Sequence, residues 1–203
     1  MVLIQQAGRV EIATYEKPKK GNYHSGDSYF YIETEDHFLV ALSDGLGSGE
    51  VAKKSSQTVI DVIRENVHQP LDDMLGQCNA ALFGNELRGC VLGILRLDFN
   101  KKEFSYVSVG NISIVMISAE GKKQRNIPIH GYLSGIPRKT KVHYGELQKN
   151  ALFFMFSDGV SERQLTKEFY SFQSMQLTVD WFTEQQKEYM EDDTTLIAMK
   201  FLG

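Results

Sequence analysis

The sequence has too few cysteines for a disulfide-rich protein and no apolar run long enough for a transmembrane helix. Its 203 residues include only two cysteines, Cys78 and Cys90, which cannot form a disulfide framework. No apolar run approaches the roughly 18 residues that a transmembrane helix needs. Residues 1–10 lack a charged start followed by an apolar stretch, so they do not resemble a signal peptide. We therefore expect a cytoplasmic protein that does not associate with membranes.

The charge balance and the histidine pattern narrow the possible partners. Lys and Arg number 22 against 26 Asp and Glu, so there is no basic surplus for binding nucleic acid. The five histidines are scattered and lack the paired spacing of zinc ligands. A chain of net charge −4 that binds an anionic substrate would need help, for example from metal cations. With no linker or repeat in the sequence, we expect one domain over residues 1–203.

The hydrophobic periodicity predicts mostly strands, with two long helices inserted between them. The first helix is expected at residues 51–67 and the second at 71–82, with Pro70 at the first position of the second helix. A weaker helical pattern covers residues 179–189. About ten strands are expected, at 10–15, 28–34, 37–43, 90–98, 103–109, 113–118, 123–127, 143–147, 152–157 and 195–201. Antiparallel strands with outer helices imply an α+β fold in which two sheets stack around an apolar core.

Acidic residues stand at the ends of four apolar strands. Two of these strands end on the same Ser-Asp-Gly sequence, which places Asp44 and Asp158 at strand ends. Asp192 and Asp193 precede the last strand, and Asp27 precedes an aromatic one. A single Asp-Gly pair is most often only a turn. If the four ends converge, however, the carboxylates repel one another unless cations neutralise them, and Mg²⁺ and Mn²⁺ prefer such oxygen ligands.

A glycine-rich segment leads into the first predicted helix, with the sequence Gly45-Leu46-Gly47-Ser48-Gly49. A loop-to-helix junction of this kind can present backbone N–H groups to phosphate. A tight turn that simply begins a helix explains the same residues equally well. The segment is not a dinucleotide-binding fingerprint, because its third glycine comes one position early, and the chain has no GxxxxGK[ST] motif.

Taken in order, the acidic motifs resemble the metal-dependent Ser/Thr protein phosphatase family (type 2C). The resemblance is carried by the order and spacing of four motifs rather than by any one of them. The matching pieces are Gly26-Asp27, Ser43-Asp44-Gly45-x-Gly47-x-Gly49, Ser157-Asp158-Gly159 and Asp192-Asp193-x-Thr195. Within the family the short chain is similar to the small bacterial RsbX-type stressosome phosphatases. That second similarity is carried by Asp44–Gly49, Ser108–Asn111 and Gly131–Gly135.

The resemblance implies a four-layer α-β-β-α sandwich with two Mn²⁺ or Mg²⁺ ions in a cleft at one edge. Asp44 would bridge both ions, and the Gly45 carbonyl would bind the first of them. Asp158 and Asp192 would bind the second ion, and Asp27 would hold metal-bound waters. These roles are implied by position in the family motifs.

The implied activity is hydrolysis of phosphoserine or phosphothreonine in stressosome scaffold or antagonist proteins, by a hydroxide that bridges the two ions. This chemistry needs no covalent enzyme intermediate. It therefore agrees with the cysteines, because Cys78 and Cys90 both fall in apolar patterns typical of core residues. Asp193 remains an alternative to Asp192 as the ligand of the second ion. We expect the enzyme to be a monomer.

Two departures from the larger eukaryotic members keep a second interpretation open. Leu46 stands where those enzymes carry a histidine proposed as general acid, and their phosphate-binding arginine has no match near Asn22. Lys19 and Lys20 are candidates to replace that arginine, although exposed lysines usually have no specific role. The alternative is a catalytically weak binding module that keeps the phosphatase fold and acts by docking to a partner. A nucleotide-binding kinase is disfavoured, because the chain has no Asn-rich helix motif before its Gly-rich segment.

Overall fold

The computed structural model is an α+β fold in which two antiparallel sheets pack face to face. The structure describes residues 4–5, 8–84, 87–137, 139–161, 164–171, 174–186 and 190–203. The strands are β1 (Ile4–Gln5), β2 (Val10–Lys17), β3 (Asp27–Glu33), β4 (His37–Gly45), β5 (Cys90–Asp98), β6 (Glu103–Val109), β7 (Ser113–Ile117), β8 (Lys123–Arg125), β9 (His143–Glu146), β10 (Leu152–Phe156) and β11 (Thr194–Phe201). The helices are α1 (Gly49–Glu65), α2 (Leu71–Ala81) and α3 (Met175–Glu184), with a short 3₁₀ helix at Phe169–Ser171.

The two sheets enclose one apolar layer and are covered by helices on their outer faces. One sheet has six strands in the order β1-β2-β11-β10-β7-β8, and the other has five in the order β3-β4-β5-β6-β9. Side chains such as Val40, Leu95 and Met155 fill the space between the sheets. Helices α1 and α2 pack on the five-stranded sheet, and α3 packs on the six-stranded sheet. The expected four-layer α-β-β-α sandwich is therefore confirmed.

Strand β10 shows why the inner strands are apolar throughout. Phe153 and Met155 point into the layer between the sheets, whereas Phe154 and Phe156 point to the layer beneath α3. Successive side chains of a strand face opposite sides of the sheet. Because both faces of this sheet are covered, the side chains on both faces must be apolar. The strand therefore shows no alternation of polar and apolar residues in the sequence.

The helices differ from the expected boundaries mainly where they begin. Helix α3 begins at Met175 rather than at residue 179, and the Ser174 hydroxyl caps it by accepting a bond from the Gln176 N–H at 3.2 Å. Pro70 is the residue before α2 rather than its first residue, because its extended ψ of 148° lies outside the helix. Residues 187–189, predicted as the end of the last helix, lie outside the described residues. In the described part of the chain, no helix is long and apolar enough to span a membrane.

The strands match the expected pattern closely, with small differences in their bounds and one additional strand among the described residues. Strand β4 continues to Gly45, so Asp44 is paired within the sheet rather than lying beyond it. A short strand, Ile4–Gln5, pairs with β2 and brings the strands of the described residues to eleven rather than ten. The longer β4 matters because strand pairing fixes the Asp44 backbone against its neighbours on both sides.

Candidate metal centre

Strands β3 and β4 bring two of the predicted acids together at one end of the five-stranded sheet. Asp27 is the first residue of β3 and is the direct cross-strand partner of Asp44. Side chains paired in this way have Cβ atoms about 4.5–5.5 Å apart. Asp27 is fully buried and Asp44 is half-buried. The pairing therefore places two carboxyl groups side by side at the edge of the sandwich.

Hydrogen bonds from the six-stranded sheet fix the orientation of Asp27. Its Oδ2 atom accepts one bond from the Ser157 hydroxyl and another from the Thr195 hydroxyl, both at 2.7 Å. The Thr195 N–H in turn donates to the Ser157 hydroxyl at 3.0 Å. The Oδ1 atom of Asp27 is buried and has no hydrogen-bond partner among the described residues. A buried carboxylate oxygen of this kind is costly unless a proton or a cation meets it.

Asp158 reaches the same end of the sandwich from the six-stranded sheet, two residues beyond the end of β10. Its Oδ2 atom accepts a hydrogen bond of 2.7 Å from the side-chain amide of Asn111. In the sequence, Asn111 belongs to the Ser108–Asn111 segment of the family resemblance, which implies no role for it. The contact joins residues 47 positions apart. Its only signal in the sequence was membership of that segment.

The adjacent acids Asp192 and Asp193 have different surroundings. Asp193 is buried, and its two oxygens accept backbone N–H bonds from Lys19 at 2.8 Å and from Gly26 at 2.9 Å. Asp192 is exposed, and its Oδ1 atom lies 3.7 Å from the Lys19 ammonium. An exposed ion pair of this kind contributes little to stability. Asp193 therefore holds two loop segments in place, whereas Asp192 faces solvent and is available to a cation.

Burial and mutual repulsion raise the pKa values of the clustered acids. Burial is the main cause for Asp44, whose pKa rises to about 8. The neighbouring carboxylates that add to this shift are those of Asp27, Asp158, Asp192 and Asp193. Burial likewise raises the pKa of Asp27 to about 7, although hydrogen bonds from Thr195 and Ser157 act against it. The acids are thus close enough to destabilise one another's negative charge. Bound cations would relieve this repulsion.

The donor set fits hard divalent cations. All the candidate side-chain ligands are carboxylates, which suit Mg²⁺ and Mn²⁺ and disfavour zinc or copper. Among the described residues, no three acidic, histidine or cysteine side chains are grouped closely enough to hold a metal ion without further ligands such as water. An open arrangement is compatible with Mg²⁺, which keeps several of its waters in protein sites. The unpartnered Oδ1 atom of Asp27 supports the fit, because it leaves an acceptor directed at no group of the described chain.

The residues next to the acids leave space on one side and close the other. A pocket of 460 Å³ lies beside the cluster and is lined by Asp158, Asp192 and Met190, among others. On the opposite side, Gly45 packs directly against α1, so that a Cβ atom on it would lie 1.9 Å from the Ala52 carbonyl oxygen. A larger hollow of 910 Å³ is lined by Gly8–Val10 and other residues and contains none of the clustered acids. Open space therefore adjoins Asp158 and Asp192, whereas Gly45 is packed closely against α1.

The remaining sequence-based candidates have no acid-base role at this site. Leu46 is half-buried, and its backbone N–H donates to the Gly89 carbonyl at 2.9 Å. Its aliphatic side chain has no proton to give to a leaving group. Cys78 and Cys90 are buried free thiols, as predicted. Burial raises the pKa of both thiols and brings that of Cys90 to about 12, so neither is a thiolate nucleophile at neutral pH.

Comparisons with known proteins agree with this geometry. The family model described as Stage II sporulation protein E (SpoIIE) matches residues 34–202. The chain is 31% identical over 161 residues to the phosphoserine phosphatase RsbX of Bacillus subtilis (strain 168), covering 79% of this chain and 80% of that protein.

Solved structures give the same result for the fold. A crystal structure of RsbX in complex with magnesium superposes with a TM-score of 0.89 at 27% identity, covering 98% of this chain and 99% of that one. A structure from work on the bacterial stressosome superposes with a TM-score of 0.84 at 23% identity, covering 94% and 98% of the two chains, and shows the fold alone. The matched family model and the identity to RsbX decide the classification. This chain belongs to the SpoIIE family of PP2C-type protein phosphatases.

Proposed function

We propose that this chain hydrolyses phosphoserine and phosphothreonine in proteins with the help of two Mn²⁺ or Mg²⁺ ions. The observation that carries the proposal is the convergence of carboxylates from both sheets at one edge. There Asp27 is buried with one oxygen held by Ser157 and Thr195 and the other without a partner in the described chain. We also propose that residues 1–203 act as one phosphatase domain and as a monomer.

The residues that we propose to hold the ions are those that the family motifs imply. Asp44 would bridge the two ions, with the Gly45 carbonyl on the first ion and Asp158 and Asp192 on the second. Asp27 would bind through waters, since its carboxyl group is set deeper than that of Asp44. When bound, such ions supply an activated water and offset charge on the phosphoryl oxygens.

The chain's own side chains hold these groups in position and leave the cleft open. Asn111 fixes one oxygen of Asp158, and the Ser157 and Thr195 hydroxyls fix one oxygen of Asp27. Because Leu46 offers no proton, we propose that the leaving alkoxide is protonated by solvent water. Lys19 places an ammonium group beside Asp192, where it can turn to the substrate phosphate once a cation neutralises that carboxylate.

The proposed substrates are phosphorylated scaffold or antagonist proteins of a stressosome, and the proposed location is the cytoplasm. The support is the 31% identity to the phosphoserine phosphatase RsbX together with the resemblance of the sequence motifs to RsbX-type stressosome phosphatases. The role would be to reset a stress signal by removing phosphate from those proteins.

Metal removal tests the proposed activity. We expect the protein to release phosphate from a phosphoserine peptide in the presence of Mn²⁺, to lose this activity in EDTA and to regain it with excess Mn²⁺, because the carboxylates alone activate no water. Activity that EDTA leaves unchanged would contradict the metal mechanism. Failure to bind Mn²⁺ at millimolar concentration would favour the alternative, a binding module that keeps the phosphatase fold.

The Thr195→Val variant tests the role of the buried hydrogen bonds to Asp27. It removes one of the two hydroxyl donors to the Oδ2 atom without changing the size of the side chain. We expect kcat on p-nitrophenyl phosphate to fall about tenfold, because hydrogen bonds to charged groups are worth about 1.5–3 kcal/mol. Thr195→Ser, which keeps the hydroxyl, should restore most of this activity.

A second threonine provides the matched control for this variant. Thr14 is also fully buried in a strand of the six-stranded sheet, and its hydroxyl bonds to the Tyr29 hydroxyl rather than to an acid of the site. We expect Thr14→Val to leave kcat within about twofold of the wild type, since it changes no group at the site. Equal kcat losses in the two valine variants would show that the effect is general destabilisation.

A further inference from the structure

Three large apolar side chains are exposed together at the C-terminal end of α2. Phe83 is 74% exposed, Ile136 is 68% exposed and Tyr132 is 45% exposed. Phe83 lies against Gly135, because a Cβ atom on that glycine would lie 2.7 Å from the Phe83 Cα atom. We call Phe83, Tyr132 and Ile136 the α2 surface. Exposed apolar side chains grouped in this way are typical of interaction sites.

The loop that carries two of these side chains is held rigidly by one buried amide. The Oδ1 atom of Asn79 accepts N–H bonds from Ser134 at 3.1 Å and from Gly135 at 3.0 Å. Its Nδ2 group donates to the Ile136 carbonyl at 2.7 Å. A surface that is ordered before binding loses little conformational entropy when it binds. The α2 surface is therefore preorganised for a partner.

A small apolar pocket adjoins the α2 surface. Its volume is 170 Å³, and its lining is formed by α2 and by the segment between β8 and β9. The lining residues are Leu75, Gly76, Asn79, Ala80, Leu133, Gly135, Pro137 and Thr140. A cavity of about 150 Å³ with apolar walls holds a benzene molecule. The pocket therefore has the size and polarity for one apolar side chain of a partner.

Sheet pairing sets the distance from this pocket to the acidic site. Gly45 pairs with Cys90, and Cys90 pairs with Leu133 of the pocket lining through backbone hydrogen bonds of 2.8 and 3.0 Å. Neighbouring strands lie about 4.8 Å apart, so the pocket is about 10 Å from Gly45. An extended peptide covers that distance with about three residues.

An arginine lies between the α2 surface and the acidic site. A Cβ atom on Gly47 would lie 2.8 Å from the Nη1 atom of Arg88, so the guanidinium packs on the glycine-rich loop that follows Asp44. Arg88 is exposed and forms no ion pair with any described carboxylate. A guanidinium that pairs with no carboxylate of the described residues suits the doubly charged phosphate of a phosphoserine, which it can bind in bidentate fashion.

We propose that the α2 surface and its pocket dock the phosphoprotein substrate through an apolar side chain about three residues from the phosphoserine. Arg88 contacts the phosphorylated segment between that side chain and the acidic site. The inference rests on the proposed phosphatase function and adds to it a rule for substrate choice. Gly45, Cys90 and Leu133 are buried, so their pairing fixes the separation of the α2 surface from the acidic site, and the peptide lies on the surface above them.

Gly76→Leu closes the pocket without threatening the fold. A Cβ atom on Gly76 has no neighbour within 4 Å, and the position is exposed on α2 and lines the pocket. Leucine favours helix over glycine, so the variant should be at least as stable as the wild type. Gln77→Leu is the matched control, because it adds the same side chain at the next exposed position, outside the pocket lining.

The test uses short phosphoserine peptides in which a single leucine is moved along an otherwise small and polar sequence. For the wild type we expect one peptide, with its leucine three residues from the phosphoserine on one side, to have a kcat/KM about tenfold higher than the peptides with leucine elsewhere. Burial of one leucine side chain is large enough for this difference. Gly76→Leu should abolish this preference, whereas Gln77→Leu should keep it. Both variants should hydrolyse p-nitrophenyl phosphate at the wild-type rate, because that ester is too small to reach the pocket.

Arg88→Gln separates the phosphate contact from the apolar contact. We expect it to raise KM for all the phosphopeptides about fivefold, by loss of a charge-assisted contact, and to keep the leucine preference. A flat leucine profile in the wild type, or an unchanged preference in Gly76→Leu, would overturn the docking proposal. Failure of the wild type to hydrolyse even p-nitrophenyl phosphate with Mn²⁺ would instead refute the phosphatase function on which it rests.

Discussion

The Asp44→Asn variant is expected to lose at least about a thousandfold of the wild-type kcat while keeping its fold, because one change removes the proposed bridge between both ions. Asparagine has nearly the same size as aspartate, and Asp44 is only half-buried. Its carboxyl group is also destabilised by burial and by neighbouring carboxylates, which raise its pKa. In EDTA, therefore, we expect the variant to melt at the same temperature as the wild type or higher.

The combination of lost turnover and retained stability distinguishes a metal ligand from a structural residue. The measurements are kcat on p-nitrophenyl phosphate in saturating Mn²⁺ and Tm in EDTA. Asp73→Asn, which changes an exposed aspartate in the first turn of α2, serves as the control and should keep wild-type kcat. Wild-type turnover in Asp44→Asn would show that Asp44 does not bridge the ions.

The Gly45→Ala variant is expected to be destabilised strongly and to lose activity as well. The added methyl group would lie 1.9 Å from the Ala52 carbonyl oxygen and 2.7 Å from the Ala52 Cα atom, so the backbone of α1 or of β4 must move. Overpacking of this kind costs about 3 kcal/mol, which lowers Tm by about 6–12 °C in a domain of this size. The same shift displaces the Gly45 carbonyl from its proposed ion.

Thermal unfolding of two glycine variants isolates the contact. Gly76→Ala introduces the same methyl group in α2, where nothing lies within 4 Å, and it should leave Tm unchanged or raise it. If Gly45→Ala melted with the wild type, the close packing of α1 on the end of β4 would be wrong. If it melted early but kept kcat at low temperature, the Gly45 carbonyl would not be a metal ligand.

The acids of the site could be predicted because each follows or precedes an apolar strand. Asp44 lies in the last two residues of β4 and Asp158 lies two residues beyond β10, both in the same Ser-Asp-Gly sequence. Their supporting contacts could not be predicted in the same way. Ser157 and Thr195 reach Asp27 across 130 and 168 residues of chain, and no local pattern reports such contacts.

The fold was predictable in class but not in all boundaries, for physical reasons. Periodicity located α1 and α2, because each buries one continuous stripe against the five-stranded sheet. It placed α3 too late, because the start of that helix is set by the Ser174 cap rather than by apolar spacing. The sequence alone leaves Asp193 open as an alternative to Asp192, whereas the structure distinguishes them by the burial of Asp193 and its two backbone N–H bonds.

The α2 surface illustrates a further limit of sequence reasoning. Phe83 and Ile136 lie 53 positions apart in the chain, and each alone is an ordinary apolar residue. Both lie near the end of α2, because Asn79 holds the loop of residues 134–136 there and Gly135 packs against Phe83. The Gly131–Gly135 segment was noted in the sequence as part of a family resemblance. Its proposed role in docking comes from this contact.

Crystals grown with Mn²⁺ and measured for anomalous scattering test the central claim most directly. We expect two manganese peaks at the edge where β3 begins and β4 ends, with the Asp44 carboxylate between them. Asp158 and Asp192 should lie on one ion and the Gly45 carbonyl on the other, while Asp193 keeps its bonds to the Lys19 and Gly26 N–H groups. The absence of manganese at this edge, or an ion bound by Asp193 in place of Asp192, would contradict it.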